Sequence, residues 1–366
     1  MAAVRQRPEM INVAIVGTQG VPATYGGFES LVENLLGDNC PEDVHYTVFC
    51  SGKDMPDHIT EYKGATLRYL PLKANGIQSV PYDMLSMCKC LRGFDVILVL
   101  GVSGGLFLPV FNLLNSKKLI INIDGQEYKR AKWGRFAKWI LRMSEALAVR
   151  YADVVISDNK GIQDYVTRTY GKPSALISYG GDHVRRQLTP EFVADALKRY
   201  GLKPGAYAIT VCRIEPENNS PMVLDAFSRS DRTLVYIGNW NNSEYGIRLK
   251  EKYSRFPNIL MLDAVYDLDV LYALRSNASV YVHGHSAGGT NPSLVEAMFF
   301  GMPILAFDVV YNRETTENKA YYFKDADSLL SLLGADSLDG SAMQEIAGRR
   351  YMWKEISRQY ADLYRK

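Results

Sequence analysis

Two short stretches place chemically capable side chains directly after hydrophobic runs. In "CRIEPENN", Arg213, Glu215, Glu217, Asn218 and Asn219 follow the run "YAITV". The planar guanidinium of Arg213 can clamp a phosphate through two parallel hydrogen bonds, with a surface ion pair as the plainer use. In "VHGHSAGGTNPSLVEAMFFG", Gly288 and Gly289 make a turn, Asn291 is a favoured helix N-cap and Pro292 suits the first helical position. Glu296 then falls in the first turns of that helix. A carboxylate there can accept two hydroxyl hydrogen bonds, as from a ribose, while the amides around Gly289, Thr290 and Asn291 meet a phosphate. A structural salt bridge is the alternative for Glu296.

A third stretch, "GTQGVPATYGGFES", carries Gly17 and Gly20 in a turn and Gly26-Gly27 where the next helix begins. Bare backbone amides at such a point form an anion site, and an ordinary strand-to-helix turn is the competing reading. The spacing is not G-x-G-x-x-G, so a dinucleotide fingerprint is not met. No D-x-D pair stands at a strand end, and the five cysteines are scattered and odd in number. Their pattern fits reduced core thiols rather than disulfides or a metal knuckle.

These stretches sit at the ends of elements that alternate along the chain. "INVAIVG", "HYTVFC", "DVILVLG", "KLIINIDG" and "ADVVISD" are apolar runs separated by helical patterns, and a second series runs from "YAITVC" to "MPILAFD". Near-continuous apolar strands alternating with helices specify parallel sheets covered on both faces. The expected organisation is α/β: a leader at 1–10, a Rossmann-like domain at 11–183, a connection at 184–205, and a second Rossmann-like domain at 206–345. A helix over 346–366 either caps the second domain or crosses back to the first. Two such domains imply a cleft between them. With 366 residues, 47% hydrophobic and 22% charged, the chain has the composition of a soluble two-domain protein. A net charge of +2 supplies no global field for nucleic acid, so an anionic partner needs a local site. No apolar run reaches the ~20 residues of a membrane span, and a cytoplasmic location is expected.

The segment "GGTNPSLVEAMFFGMPILAFD" resembles the nucleotide-sugar site of family-4 retaining glycosyltransferases of the GT-B fold, whose signature is E-x7-E. "CRIEPENN" and "SYGGDH" extend the likeness. "AIVGTQGVPATYGGFESLVENL" and "NIDGQEYKRAKW" resemble a bacterial rhamnosyltransferase-like subgroup that builds capsule, O-antigen and cell-wall polysaccharide. The resemblance implies two Rossmann-like domains facing across a cleft and transfer of a sugar, L-rhamnose from dTDP-L-rhamnose first. The implied acceptor is lipid-linked or a saccharide. It implies that Glu296 binds the ribose, that Arg213 binds the diphosphate and acts in catalysis, and that Gly26 and Gly27 approach the donor. Asn218, Gly288, Gly289, Thr290 and Asn291 complete the donor side. Tyr25, Asp124 and Glu127 stand on the acceptor side, with Asp124 orienting the acceptor or taking its proton.

Two positions depart from the pattern. The first glutamate of E-x7-E falls on Gly288, and the phosphate lysine falls on Asn218. A same-face substitution still works without an enzymic nucleophile if the leaving diphosphate takes the acceptor's proton, so no metal and no other cofactor are expected. In "KWGRFAKWILRMSEAL", Trp133, Phe136, Ala137 and Ile140 share a helical face opposite Arg135, Lys138 and Arg142. That helix either docks on the sheet or rests on the cytoplasmic face of an inner membrane. A transferase using a UDP-hexose, a nucleotide-sugar epimerase and a weakly catalytic scaffold subunit remain as alternatives.

Overall fold

The computed structural model describes residues 10–23, 26–129, 133–335 and 337–366. All but Met10 of the expected leader therefore lies outside the described residues. The chain forms two compact units, one running up to Ser178 and taking in Trp353–Lys366, the other Tyr179–Met352.

The first unit holds β1 (Ile11–Val16), β2 (Val44–Ser51), β3 (Glu61–Tyr62), β4 (Ala65–Leu70), β5 (Val96–Leu100), β6 (Lys118–Asn122), β7 (Val154–Ser157) and β8 (Ala175–Leu176). Among the described residues they make one sheet in the order β3-β4-β2-β1-β5-β6-β7-β8, parallel except for the β3–β4 pair. Val13 to Val16 of central β1 are fully buried, as expected of a strand covered on both faces. The connecting helices are α1 (Gly27–Leu35), α2 (Ser79–Lys89), α3 (Leu108–Leu114), α4 (Arg135–Tyr151) and α5 (Lys160–Tyr170). Two-residue β3 and β8 were not legible as apolar runs, being short edge pieces.

The second unit holds β9 (Tyr207–Val211), β10 (Thr233–Ile237), β11 (Ile259–Leu262), β12 (Val280–His283), β13 (Ile304–Phe307) and β14 (Tyr321–Phe323). Their order is β11-β10-β9-β12-β13-β14, all parallel. Helices α6 (Pro190–Arg199), α7 (Ser220–Ser228), α8 (Glu244–Tyr253), α9 (Leu268–Ser276), α10 (Pro292–Met298), α11 (Val310–Thr315), α12 (Ala326–Leu333) and α13 (Ser341–Arg350) accompany it. Alternate strand residues feed two separate cores. Ile209 and Tyr281 pack with Leu294 and Met298 of α10, while Ala208 and Val282 pack with Val223 and Phe227 of α7. This is why the strands read as continuous apolar runs.

Three sequence expectations change. The segment 184–205, read as an interdomain connection, belongs to the second unit, where α6 buries Ala196 and Leu197 against its core. The boundary before it lies at Ser178 rather than 183, because Tyr179 to His183 contact the second unit. The helix expected over 346–366 is two helices. Tyr351, buried with its hydroxyl donating to the Thr315 carbonyl (2.9 Å), ends α13, and α14 (Trp353–Arg365) packs in the first unit.

The buried face of α14 is Trp353, Ile356, Tyr360 and Tyr364, with Leu363 at its flank. Lys118 Nζ donates to the Leu363 carbonyl (2.6 Å), and Arg365 grips Asp43 through two hydrogen bonds (2.6 and 2.8 Å). Trp133, expected on the apolar face of α4, precedes that helix and donates its indole N–H to Glu127 Oε1 (3.0 Å).

Candidate active site

In the second unit β9 and β12 are neighbours, and their carboxyl ends release two loops that are fastened together. Asn219 Nδ2 donates to the Gly284 carbonyl (2.8 Å), and Ser286 donates to the Glu217 carbonyl from its N–H (2.8 Å) and its hydroxyl (2.9 Å). The approach is so close that a Cβ on Gly284 would lie 2.2 Å from the Asn218 carbonyl oxygen. Only glycine fits there.

Asn218 is buried between the loops. Its Nδ2 donates to the Arg213 carbonyl (2.8 Å) and its Oδ1 faces His285 Nδ1 (2.8 Å). Asn218 thus braces the two loops, a task that a lysine in the same place would not perform in this way. The Arg213 side chain is exposed at the strand end and makes no hydrogen bond or ion pair among the described residues.

Glu296 stands on α10, whose start follows the sequence expectation: Asn291 caps it by accepting from the Ser293 N–H (3.0 Å), and Pro292 is its first residue. The Asn291 side chain, which also accepts from the Ser293 hydroxyl (2.8 Å), is therefore occupied as a cap. Thr290 is buried, and Gly288 has φ +88°. Glu296 Oε2 accepts from Arg275 Nη1 at 2.8 Å, and Oε1 lies 3.5 Å from His183 Nε2. Burial alone would raise the Glu296 pKa, but Arg275 and then His183 outweigh it and hold the carboxyl at about 2. The carboxylate, 15% exposed, is ionised, and each oxygen has lone pairs left over for further donors. Neither Arg275 nor His183 was singled out in the sequence. Arg275 sits in the last turn of α9, and only the fold brings it under α10.

In the first unit, the loop after β1 is held by carboxylates of the helix that follows it. Glu29 Oε1 accepts from the Thr18 hydroxyl (3.0 Å) and the Gln19 N–H (2.9 Å), and Glu33 accepts from the Ala23 N–H (3.0 Å). Gly26 stands at φ +123°, a conformation that side chains rarely adopt, and a Cβ there would meet Glu29 Oε2 at 1.9 Å unless that carboxylate moved. Gly27 opens α1. Tyr25 lies outside the described residues.

Asp124 follows β6 in a left-handed conformation, φ +50°, with Gly125 at +70°. A non-glycine residue held there by its surroundings is strained. Its N–H donates to Asn122 Oδ1 (3.2 Å), and Asn122 Nδ2 donates to the Tyr360 hydroxyl of α14 (3.1 Å). Glu127 has one oxygen engaged by Trp133. The fold therefore gathers Arg213, Asn218, Gly288 to Asn291 and Glu296 in one unit, and Gly26, Gly27, Asp124 and Glu127 in the other. Among the described residues no group of three or more His, Cys, Asp or Glu side chains is arranged to hold a metal.

Residues 197–329 match the family model Glycosyl transferases group 1. The protein is a glycosyltransferase. Residues 10–182 of the glycosyltransferase match a second model, described as a domain of unknown function (DUF1972). No curated protein matches it in sequence. Its fold is GT-B. Sucrose-phosphate synthase from Thermosynechococcus elongatus is 18% identical with a TM-score of 0.81, over 97% of this chain and 98% of that one. Anabaena HepE in complex with UDP and glucose is 14% identical at a TM-score of 0.75, over 97% and 99%. An α,α-trehalose-phosphate synthase (UDP-forming) from Burkholderia xenovorans is 12% identical at 0.68, over 98% and 99%.

Proposed function

We propose that the glycosyltransferase is a retaining enzyme that moves L-rhamnose from dTDP-L-rhamnose onto a lipid-linked or saccharide acceptor in bacterial surface-polysaccharide synthesis. One observation carries the donor reading: an exposed Arg213 at the end of β9, its side chain unpaired among the described residues, in the same unit as a carboxylate that Arg275 keeps ionised. A free cation suits the diphosphate, and an ionised carboxylate suits a ribose diol. Rhamnose rests on the resemblance of the two N-terminal stretches. A UDP-hexose is the second reading, favoured by the relative whose structure holds UDP and glucose.

In the proposed reaction the bond from the sugar's anomeric carbon to the leaving phosphate breaks as a bond to the acceptor oxygen forms on the same face. The acceptor's proton passes to the leaving diphosphate. Arg213 stabilises the growing diphosphate charge, which is where most of the barrier is lowered. Asp124, fixed through Asn122, orients the acceptor hydroxyl. No step needs a metal, so transfer persists in EDTA.

The acceptor reading extends to a membrane surface. Phe136 (72% exposed) and Trp139 (58%) are interspersed with the basic residues Arg135, Lys138 and Arg142 along α4. On neighbouring α3, Val110, Leu113 (84% exposed) and Leu114 share a second bare apolar face. Of the face expected either to dock on the sheet or to meet lipid, Ala137 and Ile140 are half-buried and Trp133 precedes the helix, while Phe136 is exposed beside Trp139, and that exposed pair favours a lipid contact. No helix among the described residues is long and apolar enough to cross a membrane.

The deciding experiment incubates the enzyme with dTDP-L-rhamnose and with UDP-sugars, adds a lipid-linked GlcNAc acceptor, and reads products by mass spectrometry. Transfer from dTDP-rhamnose supports the first reading. Transfer from a UDP-sugar alone replaces it with the second, and no transfer or hydrolysis of any donor overturns both.

A further inference from the structure

The loop after β5, Gly101-Val102-Ser103-Gly104-Gly105, is assigned no role by the donor and acceptor readings, yet the first sheet puts it in the middle of the acceptor side. In the order β2-β1-β5-β6 the chain runs outward from β1 in one direction and from β5 in the other, and ligands of open α/β sheets lie beyond the carboxyl ends at such a reversal. The loop thus stands between the β1 loop that ends in Gly26-Gly27 and the turn at Asp124. It is fastened from both sides. The Gly101 N–H donates to the Asn122 carbonyl (2.8 Å), and the Ser144 hydroxyl of α4 donates to the Val102 carbonyl. A Cβ on Gly105 would lie 2.2 Å from the Ser144 carbonyl oxygen, and one on Gly104 would lie 2.9 Å from Asp83 Cβ, so glycine suits both approaches.

Val102 is buried, so Ser103, half-buried, is the polar side chain that this turn presents. Behind it lies Asp83 of α2, only 2% exposed, whose carboxylate accepts from the Ser103 hydroxyl and the Gly104 N–H. A carboxylate that takes the hydroxyl proton leaves the Ser103 Oγ lone pairs for a donor on the open side. Neighbouring Tyr82 ties the same helix to the β1 loop, its hydroxyl proton shared between the Thr18 and Phe49 carbonyls (2.8 Å each). Burial pushes the Asp83 pKa up to about 7, outweighing the two hydrogen bonds that act to lower it. Of the strands packed against α2, β1 carries no titratable residue, and Arg68 of β4 acts on Cys90 at the other end of the helix. Cys50, Glu29 and Asp54 act on the Tyr82 phenol. Among the described residues no cation offsets the buried charge of Asp83.

We propose that Ser103 accepts a hydrogen bond from a hydroxyl of the acceptor, and that Asp83, by holding the Ser103 proton, is the positioning residue that turns its lone pairs outward. This rests on the function proposed above. The ionised form of Asp83 does this, whereas the neutral form has a proton of its own and Ser103 Oγ within reach to take it. Stability and reactivity then move in opposite directions. A carboxyl raised by folding from 3.8 to about 7 contributes stability below the unfolded value and loses it as pH rises through the folded one, while the acceptor contact forms over that same rise. A role confined to the fold would make the two fall together.

The test measures transfer to the lipid-linked GlcNAc acceptor across neutral pH, from whichever of dTDP-L-rhamnose and the UDP-sugars the enzyme uses. Chemical denaturation over the same range and calorimetry with the free nucleoside diphosphate accompany it. Wild-type kcat/KM for the acceptor is expected to rise through about pH 7 to a plateau. On that plateau Ser103→Ala loses roughly tenfold, the size of one neutral hydrogen bond, and Ser103→Thr, which keeps the hydroxyl, recovers part of the loss. Both keep wild-type affinity for the diphosphate. Asp83→Asn shows no rise near neutral pH, while its stability falls less steeply than that of wild type as pH increases. If Ser103→Ala uses the acceptor as well as wild type does, or if Asp83→Asn keeps the rise, the proposal is overturned. Diphosphate affinity that falls in step with acceptor use, or wild-type stability and reactivity that fall together above neutral pH, assigns the pair to the fold and overturns it as well. A wild type that transfers sugar from no donor overturns the function proposed above, and this contact with it.

Discussion

Arg275 Nη1 lies 2.8 Å from Glu296 Oε2, with the arginine side chain 4% exposed. Removing one member of such a pair strands the other charge in a low-dielectric setting. Arg275→Leu is expected to cost roughly 3–5 kcal/mol in chemical denaturation, whereas the double replacement Arg275→Leu/Glu296→Leu recovers much of it without recovering transfer. The pair also sets an acid limit. The folded pKa of Glu296 is lowered to about 2 from 4.5, so its contribution is complete above the unfolded value and is lost as pH falls through the folded one. Acid titration of stability near pH 2–4.5 should flatten in Glu296→Gln.

Arg213 gives the opposite profile. Its side chain is exposed and unpaired among the described residues, so Arg213→Ala is expected to change stability by no more than about 0.5 kcal/mol. Steady-state kinetics should nevertheless show kcat/KM reduced about 10²–10³-fold, the size of one lost charge-stabilising donor. A stable variant with wild-type kinetics would remove Arg213 from the mechanism.

Tyr360 supports the backbone at Asp124 at a distance, through Asn122. Tyr360→Phe leaves the Asn122 amide without that acceptor and should cost about 1–3 kcal/mol. Asp124→Asn should lower kcat about a hundredfold with little change in the melting temperature. Wild-type kcat in Asp124→Asn rules out its part in orienting or deprotonating the acceptor.

Replacing Phe136 and Trp139 by serine should abolish flotation with anionic vesicles and leave transfer to a soluble acceptor intact. Because basic residues flank the aromatics, wild-type binding should weaken as salt rises, at about 1 kcal/mol per lysine or arginine near the surface. Equal flotation of wild type and variant would reject the lipid contact.

The architecture was legible because both sheets are covered on two faces, which writes itself as uninterrupted apolar runs such as "INVAIVG" and "ASVYVHG". The helix start at Asn291-Pro292 was legible for a local reason, since caps act within one turn. The surroundings of Glu296 were not. Arg275 and His183 are distant in sequence and meet it only through packing, and no periodicity marks a buried ion pair. The role of Asn218 was also hidden. As a lost lysine it suggested weakness, while in space it joins Arg213 to His285. Likewise Trp133 fitted the helical face by spacing, but α4 starts at Arg135 and the indole turns to Glu127.

The return of α14 to the first unit has a consequence for how the protein is made. All of Tyr179–Met352 must leave the ribosome before Tyr360 can reach Asn122, so the second unit can complete its sheet while the first still lacks a helix. A dissected first unit ending at Ser178 would expose Tyr46 and leave Asp43 without Arg365. Split-protein designs must therefore carry residues 353–366 on the amino-terminal half, or supply them as a separate peptide.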